Sequence, residues 1–275
     1  MARAARVLPA TAVIPVASIV GSIGCYLSPA RRLQVGRNLT RVLGRPPTGT
    51  LVRKAFISYC RYWINSFRLP ALDNEGLDQI ISVEGLEYME AALKRGNGVV
   101  VGVPHLGNWD AVGSWFVQQG FPLTVVVERI EPPELFDWFR SFRSAVGFDV
   151  LVNGPGITNA LLQALRDNNV VALLCDRDVD GNGGTYRFFG EETTLPRGPA
   201  ALSLRSGATL LTVAVYEEGR GYRAVVGPPI EVRRLATLRD DLNRITEEVV
   251  QRMESAIREA PEQWHCFQPN WPSDR

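Results

Sequence analysis

His105 and Asp110 stand five residues apart in Pro104-His105-Leu106-Gly107-Asn108-Trp109-Asp110, directly behind the apolar run of residues 98–103. An imidazole whose Nδ1–H is held by a carboxylate has a fixed tautomer and a more basic Nε2, the arrangement of a general base for a hydroxyl. On a continuous helix the two side chains would diverge by about 140°. With His105 at a strand end and Asp110 in the first turn of the next helix, the chain can fold back, and the carboxylate is expected to accept the Nδ1 hydrogen. Gly107 permits the tight turn, and Asn108 suits a helix cap. The competing reading is local structure alone, with His105 satisfying a strand end and Asp110 favouring a helix N-terminus.

The elements that would position this pair alternate between strand and helix. Helices are expected over residues 85–95, 108–119, 132–146 and 158–166, and strands over 98–103, 123–128, 149–152 and 170–175. Residues 210–215 and 222–226 read as a terminal hairpin, and Leu238–Glu259 as a long amphipathic helix. Such βαβ alternation predicts an α/β fold with a mostly parallel central sheet flanked by helices. Ligands collect at the carboxyl ends of strands in such sheets. Four polar segments fall there: the His105 segment, Glu128-Arg129, Asn153-Gly154-Pro155-Gly156 and Asp176-Arg177-Asp178. The alternating aspartates at 176, 178 and 180 resemble the start of a calcium loop but lack the downstream carboxylate, so they read as an ion-pair cluster with Asp176 facing the site. The glycine-rich turn at 153–156 reads as a plain loop, with a phosphate cradle at the following helix N-terminus as the alternative.

Ahead of the sheet lies a different region. No charge occurs between Arg6 and Arg31, and residues 7–27 approach the roughly 20 apolar residues that span a bilayer. Prolines, glycines and hydroxyl residues dilute the run, so it reads as a helix on a membrane surface, with Arg31, Arg32, Arg37, Arg41 and Arg45 facing anionic head groups. A buried packing helix is the alternative. A further helix over 51–67 carries Phe56, Tyr59, Tyr62, Trp63 and Phe67, a stripe suited to core or, secondarily, to membrane contact. Residues 1–70 are expected to form this helical membrane-associating segment and 71–275 the α/β domain, together one globular unit. A net charge of +1 argues against nucleic acid as a partner. Four scattered cysteines and two histidines without ligand spacing give neither a disulfide framework nor a metal site. His265, beside Trp264, Phe267 and Trp271, is expected to pack or cap. Nothing in the pattern sets an oligomeric state.

His-x4-Asp after an apolar strand is the signature of glycerolipid-type acyltransferases. The longer string resembles that of the bacterial lipid A late acyltransferases and, more closely, the phosphatidylinositol mannoside acyltransferases of actinobacteria. The resemblance continues through Arg37-Asn38-Leu39, Tyr59-x-Arg61-Tyr62-Trp63, Val83-Glu84-Gly85-Leu86, Glu128-Arg129, Arg143 with Gly147, Asp176-Arg177-Asp178, Phe188-Phe189-Gly190 and Pro261-Glu262-Gln263-Trp264-His265. It implies that His105, with Asp110, deprotonates an acceptor hydroxyl that attacks an acyl thioester. It also implies a second carboxylate beside the histidine, best matched by Asp176, with Asp178 as the alternative. Arg143 corresponds to an arginine that holds the site together or steers a phosphate, and Glu128, Arg129, Asn108, Arg177 and Asp178 complete the candidate substrate contacts. The implied function is transfer of a palmitoyl group from acyl-CoA to a mannose hydroxyl of a phosphatidylinositol mannoside at the cytoplasmic face of the plasma membrane. No cofactor is implied. An apolar tunnel beside the strand ends should hold the acyl chain. Acylation of another glycolipid or polyol from an acyl carrier protein, and a lipid-binding relative without turnover, are the alternatives. The absence of a Gly-x-Ser-x-Gly elbow argues against a serine hydrolase.

Overall fold

A computed structural model describes residues 8–72, 74–128 and 133–274; Arg129 lies outside them. Helix α1 (Ala10–Leu27) buries Val13, Ala17, Gly21 and Cys25, a stripe at four-residue spacing. That stripe packs on α3 (Gly49–Arg68), which Thr48 caps by accepting the Leu51 N–H. The contact is close: a Cβ at Gly21 would stand 2.6 Å from the Ile57 Cα. Between them lies α2 (Pro29–Leu43), begun by a proline and ended by Gly44 at φ +68. Outside the stripe, α1 exposes Ile19, Val20, Ile23, Tyr26 and Leu27, and α2 exposes Leu33.

After the short helix α4 (Asn74–Asp78) the chain enters the sheet. Its strands are β1 (Ile81–Glu84), β2 (Val99–Val103), β3 (Leu123–Val127), β4 (Asp149–Val152), β5 (Val170–Leu174), β8 (Thr209–Glu218) and β9 (Gly221–Val226), in the order β1-β9-β8-β2-β5-β3-β4. From β8 to β4 every pair is parallel, as expected from the alternation. The β8–β9 hairpin is antiparallel and β1 pairs parallel with β9, so these two strands run against the other five. Strand β1 was not among the expected strands; it forms the sheet edge beside β9.

The connecting helices are α5 (Leu86–Leu93), α6 (Trp109–Gln118), α7 (Pro133–Ala145), α8 (Ile157–Arg166), α9 (Gly198–Ser206) and α10 (Leu238–Glu259). They cover both faces. On one side Val101, Val103, Val213 and Val215 join α6 and Phe139, Phe142 and Phe148. On the other, Val100, Val171 and Leu210 join α8, α9 and α10. A strand buried on both faces reads as a continuous apolar run, which is why β2 and β5 stand out in the sequence. The antiparallel hairpin β6 (Gly184–Phe188) and β7 (Glu191–Leu195) stands outside the main sheet and buries Phe188 and Leu195.

The aromatic stripe of α3 belongs to the interior. Tyr62 stacks on Trp109 at 4.5 Å, Trp63 meets Phe139 at 5.1 Å, and Phe56 meets Phe267 at 4.9 Å. The rings have aromatic partners on the sheet side and in the C-terminal segment, as the core reading expects, with Tyr59, Trp63 and Phe67 left half-buried.

Candidate active site

Strands β2 and β5 are neighbours, and the Cys175 N–H continues their ladder by donating to the Val103 carbonyl at 3.1 Å. That bond sets the residues following each strand, His105 and Asp176, side by side. His105 Nδ1 lies 2.6 Å from Asp176 Oδ1, and the His105 backbone N–H donates to Asp176 Oδ2 at 3.1 Å. Trp264 Nε1–H donates to the same Oδ2 at 2.7 Å. Burial pushes the Asp176 carboxyl up, but the His105 charge and the hydrogen bonds from His105 and Trp264 outweigh it and hold the carboxyl below the usual range. Among the described residues no hydrogen bond engages His105 Nε2, and the ring is about one-fifth exposed.

Asp110 does not hold the imidazole, which corrects the expectation built on the five-residue spacing. Gly107 turns the chain at φ +62, where a Cβ would stand 2.3 Å from the Val215 carbonyl oxygen. Asn108 then caps α6 by accepting the Ala111 N–H at 3.0 Å. This turn buries Asp110 on the face of α6 directed at α3 and α7. Its carboxylate accepts Tyr62 O–H at 2.8 Å and Arg143 Nε–H at 2.9 Å. Burial lowers and Asp110 raises the Arg143 pKa, and the net direction is up, so the guanidinium stays charged. Arg143 is thus a brace for Asp110.

The other expected contacts divide. Asn108 is fully buried: its side-chain oxygen caps α6 and its amide donates to the Tyr222 hydroxyl at 3.4 Å, so it serves the fold of the turn. Asp178 accepts the N–H groups of Gly181 and Gly183 at 3.0 Å, and Asp180 takes the Asn153 amide. Asp176 faces the site as expected, while Asp178 and Asp180 lie in hydrogen-bonded turns and not in the expected ion-pair cluster. Arg177 donates to the Gln268 side chain, and Glu128 is half-buried at the end of β3.

The strap of residues 263–265, Ser58 and Glu217 had no expected part in the site. Residues 263–265 form a strap across the His105 loop: Gly107 N–H donates to the Gln263 carbonyl at 3.1 Å, His265 N–H to the His105 carbonyl at 2.7 Å, and Leu106 bridges Trp264. His265 packs, as expected, against Tyr59, Tyr62 and Trp109. Its Nε2 meets Ser58 Oγ at 3.0 Å, and burial, then the nearby His105, push its pKa down to about 3. Ser58 in turn reaches Glu217, whose carboxyl burial lifts to about 7 against the pull of Arg61. The available signals were the Gln263-Trp264-His265 run and a glutamate closing an apolar strand.

An apolar cavity of about 80 Å³ lies beside the sheet and α6, with Trp109, Asp110, Arg143, Phe121, Leu123 and Phe148 among its lining residues. Trp109 also stands edge-on to the His105 ring at 5.3 Å. The space is a slit, below the roughly 300 Å³ at which ligand pockets begin, so a long chain can enter only by parting the side chains.

The profile described as bacterial lipid A biosynthesis acyltransferase matches residues 1–273. The chain is similar to the phosphatidylinositol mannoside acyltransferase of Mycolicibacterium smegmatis, 38% identical over 247 residues that cover 88% of this chain and 80% of that protein. Against the protein of the same description from Mycobacterium tuberculosis it is 38% identical over 251 residues, covering 88% and 77%. Among solved structures it is similar to the 1-acyl-sn-glycerophosphate acyltransferase of Thermotoga maritima, with 12% identity, a TM-score of 0.40, and coverage of 87% of this chain and 97% of that chain.

Proposed function

As a member of the bacterial lipid A biosynthesis acyltransferase family, this chain is an acyltransferase of glycolipid biosynthesis, and we propose that it moves palmitoyl from palmitoyl-CoA to a mannose hydroxyl of a phosphatidylinositol mannoside. The observation that supports this best is the His105–Asp176 contact, with no hydrogen bond to Nε2 among the described residues and with the ring beside Trp109, which lines an apolar cavity. Nε2 takes the proton of the acceptor hydroxyl as its oxygen attacks the thioester carbonyl. The tetrahedral intermediate then expels the CoA thiolate, and the imidazolium returns the proton to sulfur. Asp176 stays ionised throughout and holds Nδ1–H in place. The acyl chain occupies the cavity, where each buried methylene contributes about 0.8 kcal/mol to donor binding.

The exposed apolar side of α1, with Arg31, Arg32, Arg37 and Arg45 exposed nearby, suits the surface of an anionic bilayer at the cytoplasmic face of the plasma membrane. Arg41 is withdrawn from that set: it pairs with Glu191 and Asp274 and lies over the Trp271 ring. The test of the function is transfer from labelled palmitoyl-CoA to mannosylated phosphatidylinositol in vesicles. H105A should lose about 10²- to 10⁴-fold in rate. Wild-type turnover by H105A would remove His105 as the base, and transfer only to a different acceptor would reassign the substrate.

A further inference from the structure

We propose that Trp264 is a positioning residue for catalysis, holding the Asp176 carboxylate in the plane in which it aligns His105. The proposal rests on the assignment of His105 as the base. The χ2 torsion of an aspartate is soft, so nothing intrinsic fixes which way its two oxygens face. In this site Oδ2 is fixed from outside by two donors, the His105 backbone N–H and Trp264 Nε1–H, and Oδ1 is thereby turned to His105 Nδ1. The indole is itself immobile: it is 3% exposed and packed against Phe188, Phe189 and Trp271. Both halves of the dyad are gripped by the same strap. The backbone beside Trp264 pairs with Leu106 and accepts from Gly107, while its side chain reaches Asp176 on the neighbouring strand end. The Asn270 amide adds a bond to the Asp176 carbonyl at 3.0 Å.

A buried tryptophan also packs, so the experiment separates the N–H from the ring. In the full-length enzyme on vesicles, W264F should lower kcat about 10- to 100-fold, the range for hydrogen bonds to charged groups, with little change in KM for palmitoyl-CoA. The control is W271F, which removes an indole N–H from the same aromatic cluster that serves the Phe188 carbonyl; it should keep wild-type kcat. In a D176N background W264F should cost nothing further, because its effect passes through Asp176. NMR of labelled histidine should show the hydrogen-bonded Nδ1 proton of His105 displaced in W264F and unmoved in W271F, a readout that does not need the acceptor to be correct. If W264F fails to fold, β-(3-benzothienyl)alanine at position 264 keeps the ring size and removes only the N–H. Wild-type kcat with an unmoved Nδ1 signal in W264F, or an equal penalty in the D176N background, would overturn the proposal. An inactive wild type with a displaced W264F signal would instead overturn the function and leave the alignment standing.

Discussion

Replacing Asp176 with asparagine should silence the enzyme without unfolding it, because of how the donors around the carboxylate are arranged. Oδ1 faces His105 Nδ1, and Oδ2 receives N–H groups from His105 and Trp264. An amide offers one oxygen. If that oxygen stays under the two N–H groups, its NH₂ donates to Nδ1, the imidazole proton moves to Nε2, and the base is lost. The opposite orientation sets NH₂ against two fixed donors, forfeiting two hydrogen bonds of about 0.5–1.5 kcal/mol each, the range for neutral partners. The first orientation wins by that margin, so D176N should fold normally and lose about 10⁴-fold in the chemical step, the cost of a wrong histidine tautomer in a hydrolase triad. D110N should behave in the opposite way. It removes the charge opposite Arg143, whose side chain is 13% exposed, while an amide oxygen still accepts one bond. We expect about 3 kcal/mol of lost stability, the low end for breaking a buried pair. For a chain of this size that lowers Tm by roughly 5 °C. The His105 tautomer is unaffected. Single-turnover transfer and thermal unfolding of both variants give the comparison. Near-wild-type single-turnover rates in D176N, or a D110N enzyme that is fully stable and catalytically dead, would refute the assignment of Asp176 as the imidazole partner.

Three further outcomes are expected. A Cβ at Gly113 would stand 2.7 Å from Phe148 Cζ and 3.1 Å from Leu123 Cδ2 in the cavity wall, so G113A should shorten the acyl site. Preference for palmitoyl-CoA over myristoyl-CoA, two methylenes apart, should fall by about tenfold in kcat/KM, and an unchanged chain-length profile would place the acyl chain elsewhere. Because burial raises Glu217 to about 7, its stabilising effect is present below the free-carboxyl value and lost as pH rises through about 7. Between about pH 6 and about pH 8 the wild type should lose about 1.4 kcal/mol, or roughly 3 °C in Tm, relative to E217Q. Comparing the two cancels the titration of His265, and parallel Tm curves would contradict the assignment. Replacing Ile19, Ile23 and Tyr26 with serine should reduce sedimentation with anionic vesicles while leaving Tm nearly unchanged, since all three are exposed; undiminished sedimentation would remove α1 as the docking surface.

What the amino-acid pattern conveyed was the local part of the structure. Strands β2 and β5 were evident as continuous apolar runs, α10 as a period of 3.6, and the strand-to-helix turn at Gly107 from its residue types. Hence His105 and Asp176 could be placed at strand ends before their contact was known. The partner of Asp110 could not be read, because α3 and α7 decide it, each more than thirty residues away in sequence. Local spacing favoured His105, and long-range burial overrode it. Strand β1 escaped because four residues of pattern Ile-Ser-Val-Glu at a sheet edge have little period to detect. The hairpin at 184–195 escaped because its mixed polar residues lack a strong apolar alternation. Trp264 drew notice only through its neighbours, since the bond that matters is to a residue 88 positions earlier.

The strap over His105 also imposes an order on assembly. A ribosome releases α1 and α2, with their apolar and arginine-bearing surfaces, long before Gln263 to His265 exist. The nascent chain can therefore settle on a membrane while its imidazole and carboxylate still lack the backbone and indole donors that align them. On the reading that His105 is the base, its alignment waits until residues 263–265 have been added, and a chain stopped short of them carries the imidazole without the donors that orient its partner.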